Sequence, residues 1–467
     1  MKNVTIRRYI LMTTTAFAAL ASGVHAEDVS TRYGTLAELI ASDAYVNAEQ
    51  VPFERVSNSV VDCRFHPGHK MRQIKITFVS QVYRGKRCPH EAFMCLPTGE
   101  LSKAAQGTTA LILGGKVLSN TQPELDWVEY IVIKLGVPCL VIMDSFDPKA
   151  YGARNKGELM SFGNRAFYDT GDPREGGYYA LARIFSAAAT VAGQMPEVRA
   201  TRFITTGSSK GGMAALIACG GDPRIMGTYP TAWNSGNLPG FTRLKGERWG
   251  WYVKPKQTGP AGMTAAKVMT ALGTPRSAEY RRLFDPHQWG DLLANKFVMP
   301  AVGTNDPLFH LLSDQFYYGD LACKKAFLRV PNYPHGRTSA QHATAWRFAV
   351  AAALLDRPVP RVTIEARSKG GGLEVFASVF NTGRVTRLMI HSTSDPTGDY
   401  RKAKWHTKEI AIPENLSRPF RIARVTPPKS GTRAAYLELS DHHALCDSLV
   451  HSNIIEIGQA VKHVLRE

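Results

Sequence analysis

Residues 202–213 read Arg202-Phe203-Ile204-Thr205-Thr206-Gly207-Ser208-Ser209-Lys210-Gly211-Gly212-Met213. A strand-like run turns through G-x-S-x-G into an apolar, helix-like stretch that reaches Cys219. The spacing has a physical reason. A serine raised above a sheet edge sits on a tight strand-to-helix turn, and its flanking positions must be small enough for the two backbones to approach. Gly207 and Gly211 supply that room. The helix N-terminus then points at Ser209, and the Lys210 backbone N–H faces the place where an attacked carbonyl would gather negative charge. An ordinary glycine-rich turn with an incidental serine competes with this reading.

Two downstream segments weigh against the ordinary turn. A strand ending at Val302-Gly303-Thr304-Asn305-Asp306 places an acid just past its carboxyl end. The next, through Val330, runs into Pro331-Asn332-Tyr333-Pro334-His335-Gly336 and sets an imidazole on a turn. Serine, acid and histidine follow one another in the chain order that G-x-S-x-G enzymes use. Ser209 is therefore the expected nucleophile, His335 the base and Asp306 its partner, with Asp314 as the alternative acid. His342 opens a helix and reads as structural. A Ser-Lys dyad through Lys210 is not indicated. A second oxyanion donor is expected from Gly114-Gly115, which follow the apolar run Ala110 to Leu113.

Around this core, short apolar runs alternate with helical stretches from about Phe78 to Val350, the pattern of an α/β sheet. Phe78 to Tyr83 and Ala92 to Leu96 read as paired strands around Gly85, Val137 to Met143 as a buried parallel strand, and Tyr178 to Val191 as a helix. Leu238 to Leu292, rich in Trp, Tyr, Gly and Pro, reads as a mostly helical insertion. Arg357-Pro358-Val359-Pro360 reads as a linker. Beyond it, alternating segments separated by turns predict a β-sandwich.

The chain has 467 residues, and 57 Lys and Arg outnumber 39 Asp and Glu. The basic excess is scattered, without a Lys/Arg block, zinc-finger spacing or RNA-reading aromatic motif, so nucleic acid is not an expected partner. Contact with anionic envelopes or polymers is compatible with it, although a solvated surface is the simpler account. Lys2, Arg7 and Arg8, the apolar-leaning Tyr9 to Leu20 and Val24-His25-Ala26 predict a cleaved export signal over residues 1–26 and a periplasmic or secreted product. No stretch approaches the roughly 20 apolar residues of a membrane span. The seven cysteines form an odd set. Cys88 and Cys95 are close enough in sequence to suggest a bridge, whereas Cys139 and Cys219 read as buried hydrophobes. Cys63, His66 and His69, and likewise His442, His443 and Cys446, lack a fourth ligand at zinc spacing, so neither metal nor cofactor is expected. Gly114-Gly115-Lys116 does not make a phosphate loop.

The motifs together resemble the PhoPQ-activated pathogenicity-related proteins. Gly207-Ser208-Ser209-Lys210-Gly211 resembles the elbow of that family. Leu272-Gly273-Thr274-Pro275 with Asp285-Pro286 resembles its insertion boundary. Gly303 to Phe309 with Ser313 to Tyr317 resembles its acid segment, and Val330 to Gly336 its histidine segment. Asp399-Tyr400-Arg401 with Trp405 resembles a further signature. Gly211-Gly212 departs from the usual Arg-Gly, and Asn305-Asp306-Pro307 from Gly-Asp-Glu. The resemblance implies an α/β-hydrolase fold with a C-terminal β domain, here an immunoglobulin-like sandwich, and an envelope or secreted role linked to stress or host interaction. The expected units are a signal peptide at 1–26, a hydrolase domain at 27–357 with its insertion at about 238–292, and a sandwich at 361–467. The expected activity is hydrolysis of a small-molecule, peptide or envelope-derived ester or amide. A non-catalytic binding or signalling protein on the same scaffold is the alternative.

Overall fold

The computed structural model describes residues 33–42, 51–83, 85–114, 125–143, 167–253, 264–369, 371–460 and 462. The expected export signal and Gly115 lie outside them. Eleven strands form one mixed sheet: β1 (Phe53–Asp62), β2 (Lys70–Tyr83), β3 (Lys86–Pro97), β4 (Thr108–Leu113), β5 (Cys139–Ile142), β6 (Arg202–Ser208), β7 (Ile225–Thr231), β8 (Phe297–Val298), β9 (Ala301–Gly303), β10 (Lys324–Lys325) and β11 (Leu328–Val330). The order runs β1-β2-β3-β5-β4-β6-β7-β8-β10, with β9 beside β7 and β11 beside β9. Strands β1, β2, β3 and β5 pair antiparallel, and everything from β5 across to β11 is parallel.

The sequence explains which strands are central. All six residues of β4 and all four of β5 are buried, as expected of parallel strands covered on both faces. Strand β1 is exposed along nearly its whole length and shows Val56 and Val60 to solvent. That edge position leaves no apolar alternation, so sequence patterning does not find β1. The strand expected to end at Val302 divides into β8 and β9 around Met299-Pro300, because Pro300 has no N–H for the ladder.

Helices α1 (Leu36–Ala41), α3 (Gly177–Gln194) and α4 (Lys210–Gly221) bury one face of the sheet. Helices α2 (Leu125–Tyr130) and α8 (Ala340–Leu354) bury the other. Between β7 and β8 the chain makes α5 (Leu238–Trp249), α6 (Ala265–Leu272) and α7 (Pro275–Phe284). Thr264 and Thr274 cap α6 and α7 by accepting from Lys267 and Ser277 N–H. Crossover helices on both faces, with β6 entering α4 at G-x-S-x-G, make this an α/β-hydrolase fold. Among the described residues no helix is long and apolar enough to cross a membrane.

The C-terminal region is antiparallel. Strands β12 (Arg361–Lys369), β13 (Gly372–Phe380) and β16 (Phe420–Val425) form one sheet. The other contains β14 (Arg384–Asp395), β15 (His406–Ile410), β17 (Gly431–His442), β18 (Ser448–His451) and β19 (Ile455–Gln459). Val362, Ile364, Val375 and Ala377 of the first meet Leu388, Leu437, Leu439 and Val450 of the second in an apolar layer that continues into α8. The Pro-rich connection is not a free tether. Arg357 is fully buried, and its guanidinium donates to Asp441 at 2.6 Å.

Candidate active site

Ser209 stands between the last residue of β6 and the first of α4 with φ 56° and ψ −115°. A side-chain-bearing residue at positive φ costs about 1–3 kcal/mol and persists only where its surroundings fix it. Here the Ser209 N–H donates to the Thr231 carbonyl at 2.8 Å, and the Met213 N–H returns to the Ser209 carbonyl at 3.1 Å. A Cβ at Gly207 would lie 2.5 Å from the Gly211 carbonyl oxygen, so strand and helix meet there only without a side chain.

The acid and base loops leave adjacent parallel strands. Val330 of β11 is in register with Gly303 of β9. Beyond them the Thr304 N–H donates to the Val330 carbonyl at 2.9 Å, and the Asn305 N–H to the Tyr333 carbonyl at 3.1 Å. A side chain at Gly303 would collide with that Tyr333 carbonyl. The loops are therefore laced together before their functional residues project. Asp306 is buried, and its two oxygens have separate tasks. Oδ1 accepts from the Leu308 and Phe309 N–H groups at 2.7 and 3.0 Å, and Oδ2 lies 2.8 Å from His335 Nδ1. The Phe309 ring stacks on the imidazole with centroids 5.9 Å apart.

The path of the histidine loop explains its reach. Tyr333 is tied to the β9 end, whereas Arg337 Nη1 donates to the Leu113 carbonyl, at 3.4 Å, where β4 ends. Across the sheet the order is β4, β6, β7, β9, β11. The segment from Tyr333 to Arg337 thus runs from the β9 end toward the β4 end, the side of the sheet on which β6 and Ser209 lie. An imidazole held at Nδ1 by a carboxylate keeps Nε2 for proton exchange with a hydroxyl.

Other expected site residues are placed differently. Asp314 is engaged by the buried Arg329 guanidinium, so it is not the partner of His335. The Gly114 N–H donates to the Ile142 carbonyl at 3.2 Å, which commits it to the sheet rather than to an oxyanion. No disulfide joins any of the seven cysteines. Cys88 and Cys95 lie on one strand, β3, roughly 23 Å apart at the usual rise per residue, and cannot bridge. His342 is buried with Nδ1 2.7 Å from Ser339 Oγ at the start of α8, and burial pushes its pKa down to about 3. His66 lies against Asp126 and His442 against Asp447.

One buried trio, His391, Glu438 and His451, was not legible from spacing because its members sit on β14, β17 and β18. Both Nε2 atoms lie 3.1–3.3 Å from Glu438 Oε2. The Arg329 N–H donates to His451 Nδ1, which puts the proton of that ring on Nε2, facing the carboxylate. A metal at that nitrogen would require an imidazolate, so the donor set suits a hydrogen-bonded clamp.

Among solved structures the chain is similar to an acetyl xylan esterase from Paenibacillus sp. R4, at 16% identity and a TM-score of 0.43, over 66% of this chain and 92% of that one. It is also similar to a glucuronoyl esterase from Teredinibacter turnerae T7901, at 18% identity and a TM-score of 0.41, over 66% and 78%. None of the curated proteins compared matches. The family described as PhoPQ-activated pathogenicity-related protein matches residues 65–401, a stretch that begins ahead of β2, takes in Ser209, Asp306 and His335, and ends in the loop after β14. By that match the chain belongs to the PhoPQ-activated pathogenicity-related protein family.

Proposed function

We propose that the protein is an exported serine hydrolase that cleaves an ester or amide through an acyl-enzyme. The observation that carries this reading is the 2.8 Å contact between His335 Nδ1 and Asp306 Oδ2, together with the strained serine turn at the end of β6 in the same parallel sheet. His335 Nε2 takes the Ser209 Oγ proton as Oγ attacks the carbonyl carbon. Asp306 holds the tautomer and stabilises the imidazolium. The Lys210 N–H, in the first turn of α4, stabilises the tetrahedral oxyanion. A second donor belongs to the loop after β4, where Gly115 is the remaining candidate. The imidazolium protonates the leaving group, and a water activated by the same nitrogen releases the acid and regenerates Ser209.

Residues 27–357 form the catalytic unit in this reading, residues 361–467 a β module, and residues 1–26 the signal that sends both to the periplasm or outside the cell. Small-molecule, peptide and envelope-derived acyl compounds are the candidate substrates. Turnover of short-chain aryl esters against matched anilides, with Ser209→Ala as control, tests it. A burst of phenol equal to the enzyme concentration and abolished by Ser209→Ala is expected. A folded protein that hydrolyses neither series supports the non-catalytic scaffold instead.

A further inference from the structure

Phe241, Lys245 and Trp249 recur at four-residue spacing and so share one face of α5. That face borders the candidate site. The Phe241 and Phe309 rings are 5.9 Å apart, and Phe309 stacks on His335. The Lys245 ammonium lies 5.0 Å from the Phe241 ring and 5.2 Å from the Trp249 ring. The loop after β14 closes the far end, with the Arg401 guanidinium 4.5 Å from the Trp249 ring and Trp249 Nε1 donating to the Asp399 carbonyl at 3.3 Å. His335, Phe309, Phe241, Lys245 and Arg401 all remain partly exposed, so the row is open to a ligand.

Lys245 is the unmatched charge in this row. Arg401 is already held bidentately by Asp399 at 2.5 and 2.6 Å. Asp306 has both oxygens engaged, by His335 and by two backbone N–H groups. No carboxylate among the described residues pairs with Lys245. Burial depresses its pKa to about 8, against the pull of Asp306 and with the push of Arg401. A partly desolvated ammonium supported only by ring faces gains most from an anion that arrives with the substrate.

We infer that the Phe241–Lys245–Trp249 face is a subsite for a substrate carboxylate, which makes the substrate a carboxylate-bearing ester or amide. The inference rests on the hydrolase reading above. A phosphate dianion fits less well, because the neighbouring guanidinium is already bidentate on Asp399 and only one ammonium remains. The anion would seat on Lys245 while the acyl or alcohol body lies across Phe309 and Phe241, toward His335 and Ser209.

The test compares kcat/KM for the para-nitrophenyl monoester of glutaric acid with that for para-nitrophenyl valerate, which has a similar chain without the charge. The wild-type protein is expected to prefer the acidic ester by about tenfold or more, the weight of one charge-assisted contact. Lys245→Met should erase most of that ratio, and Lys245→Arg should retain it. Thermal unfolding of each variant separates loss of the contact from loss of the fold. A wild-type ratio near one, which needs no variant, overturns the subsite while leaving the hydrolase reading intact, as does a preference that survives Lys245→Met. No turnover of either ester, together with no fluorophosphonate labelling of Ser209, overturns both.

Discussion

Asn332 and Trp405 exchange two hydrogen bonds: Asn332 Nδ2 donates to the Trp405 carbonyl, and the Trp405 N–H donates to Asn332 Oδ1, each at 2.8 Å. Asn332 lies on the His335 loop and Trp405 in the C-terminal β region. Asn305, beside Asp306, donates to the Tyr400 and Ala403 carbonyls of the same segment at 3.0 and 2.7 Å. One stretch of the β region therefore braces both loops at once. In turn, His310 fixes that stretch through Nε2, 3.2 Å from the Gly398 carbonyl.

Removing this brace should loosen the histidine loop. Asn332→Ala leaves the Trp405 N–H and carbonyl without their partner, at a cost of about 1–2 kcal/mol in stability. If the bracing serves positioning, kcat falls about tenfold with KM little changed, since a small displacement of a reacting group is expensive. Steady-state kinetics on the aryl esters, beside a denaturant titration, separates the two effects. An unchanged kcat in a folded variant would remove the positioning role.

The two candidate acids predict opposite phenotypes. Asp306→Asn presents an amide to His335 Nδ1 and favours the wrong tautomer, so turnover should drop about ten-thousandfold with the fold retained. Asp314→Asn strips the buried Arg329 of its counter-charge and should cost about 3 kcal/mol of stability, with a smaller effect on turnover in whatever remains folded. Parallel activity and urea-midpoint measurements decide the assignment. The reverse pattern would restore Asp314 as the acid.

Gly207→Ala tests the close approach at the serine turn. A methyl group 2.5 Å from the Gly211 carbonyl oxygen must push strand β6 and helix α4 apart. The expected loss is about 3 kcal/mol, at the upper end for overpacking. It should be accompanied by loss of reaction at Ser209. A stable, reactive Gly207→Ala protein would contradict the local geometry.

Acid should destabilise the fold before ordinary carboxylates titrate. Burial pushes His310 and His342 down to about 3, and lowers His451 from its ordinary value as well. His310 and His342 stay neutral in the folded state and take up protons on unfolding once pH falls below about 6.5, and His451 is shifted the same way. Their contribution is complete above that value and declines as pH drops toward the folded pKa values. The two protons of His310 and His342 give a slope of about 3 kcal/mol per pH unit near pH 5, and the lowered His451 adds to it in the same direction. Denaturation midpoints at pH 7.5, 6 and 5 measure it, and a flat profile would contradict neutral burial of these rings.

The serine turn and the Asp306–His335 pair of the candidate site were legible because their constraints are local. Gly207 and Gly211 must be small where strand meets helix, and Asp306 and His335 each follow a strand end within a few residues. What remained hidden depends on partners far along the chain. The strand end favours Asp306 in sequence, but Asp314 stays open as the alternative until Arg329 is seen to claim it. Gly114 looked like a donor because nothing in a glycine pair reveals that Ile142 already accepts its N–H. The Asn332–Trp405 exchange spans 73 residues and the Asn305 contact with Tyr400 spans 95, so no spacing rule reaches them. Lys245 carried no signal at all, since its character arises from the rings and charges gathered around it.

Covalent capture of the nucleophile is the most direct test of the catalytic arrangement. Folded protein incubated with a fluorophosphonate at neutral pH, digested and mapped by mass spectrometry should carry one adduct, on Ser209. That adduct should disappear in Ser209→Ala and form far more slowly in His335→Ala. An intact, correctly folded protein that gains no adduct, or gains it on another residue, would contradict the proposed chemistry.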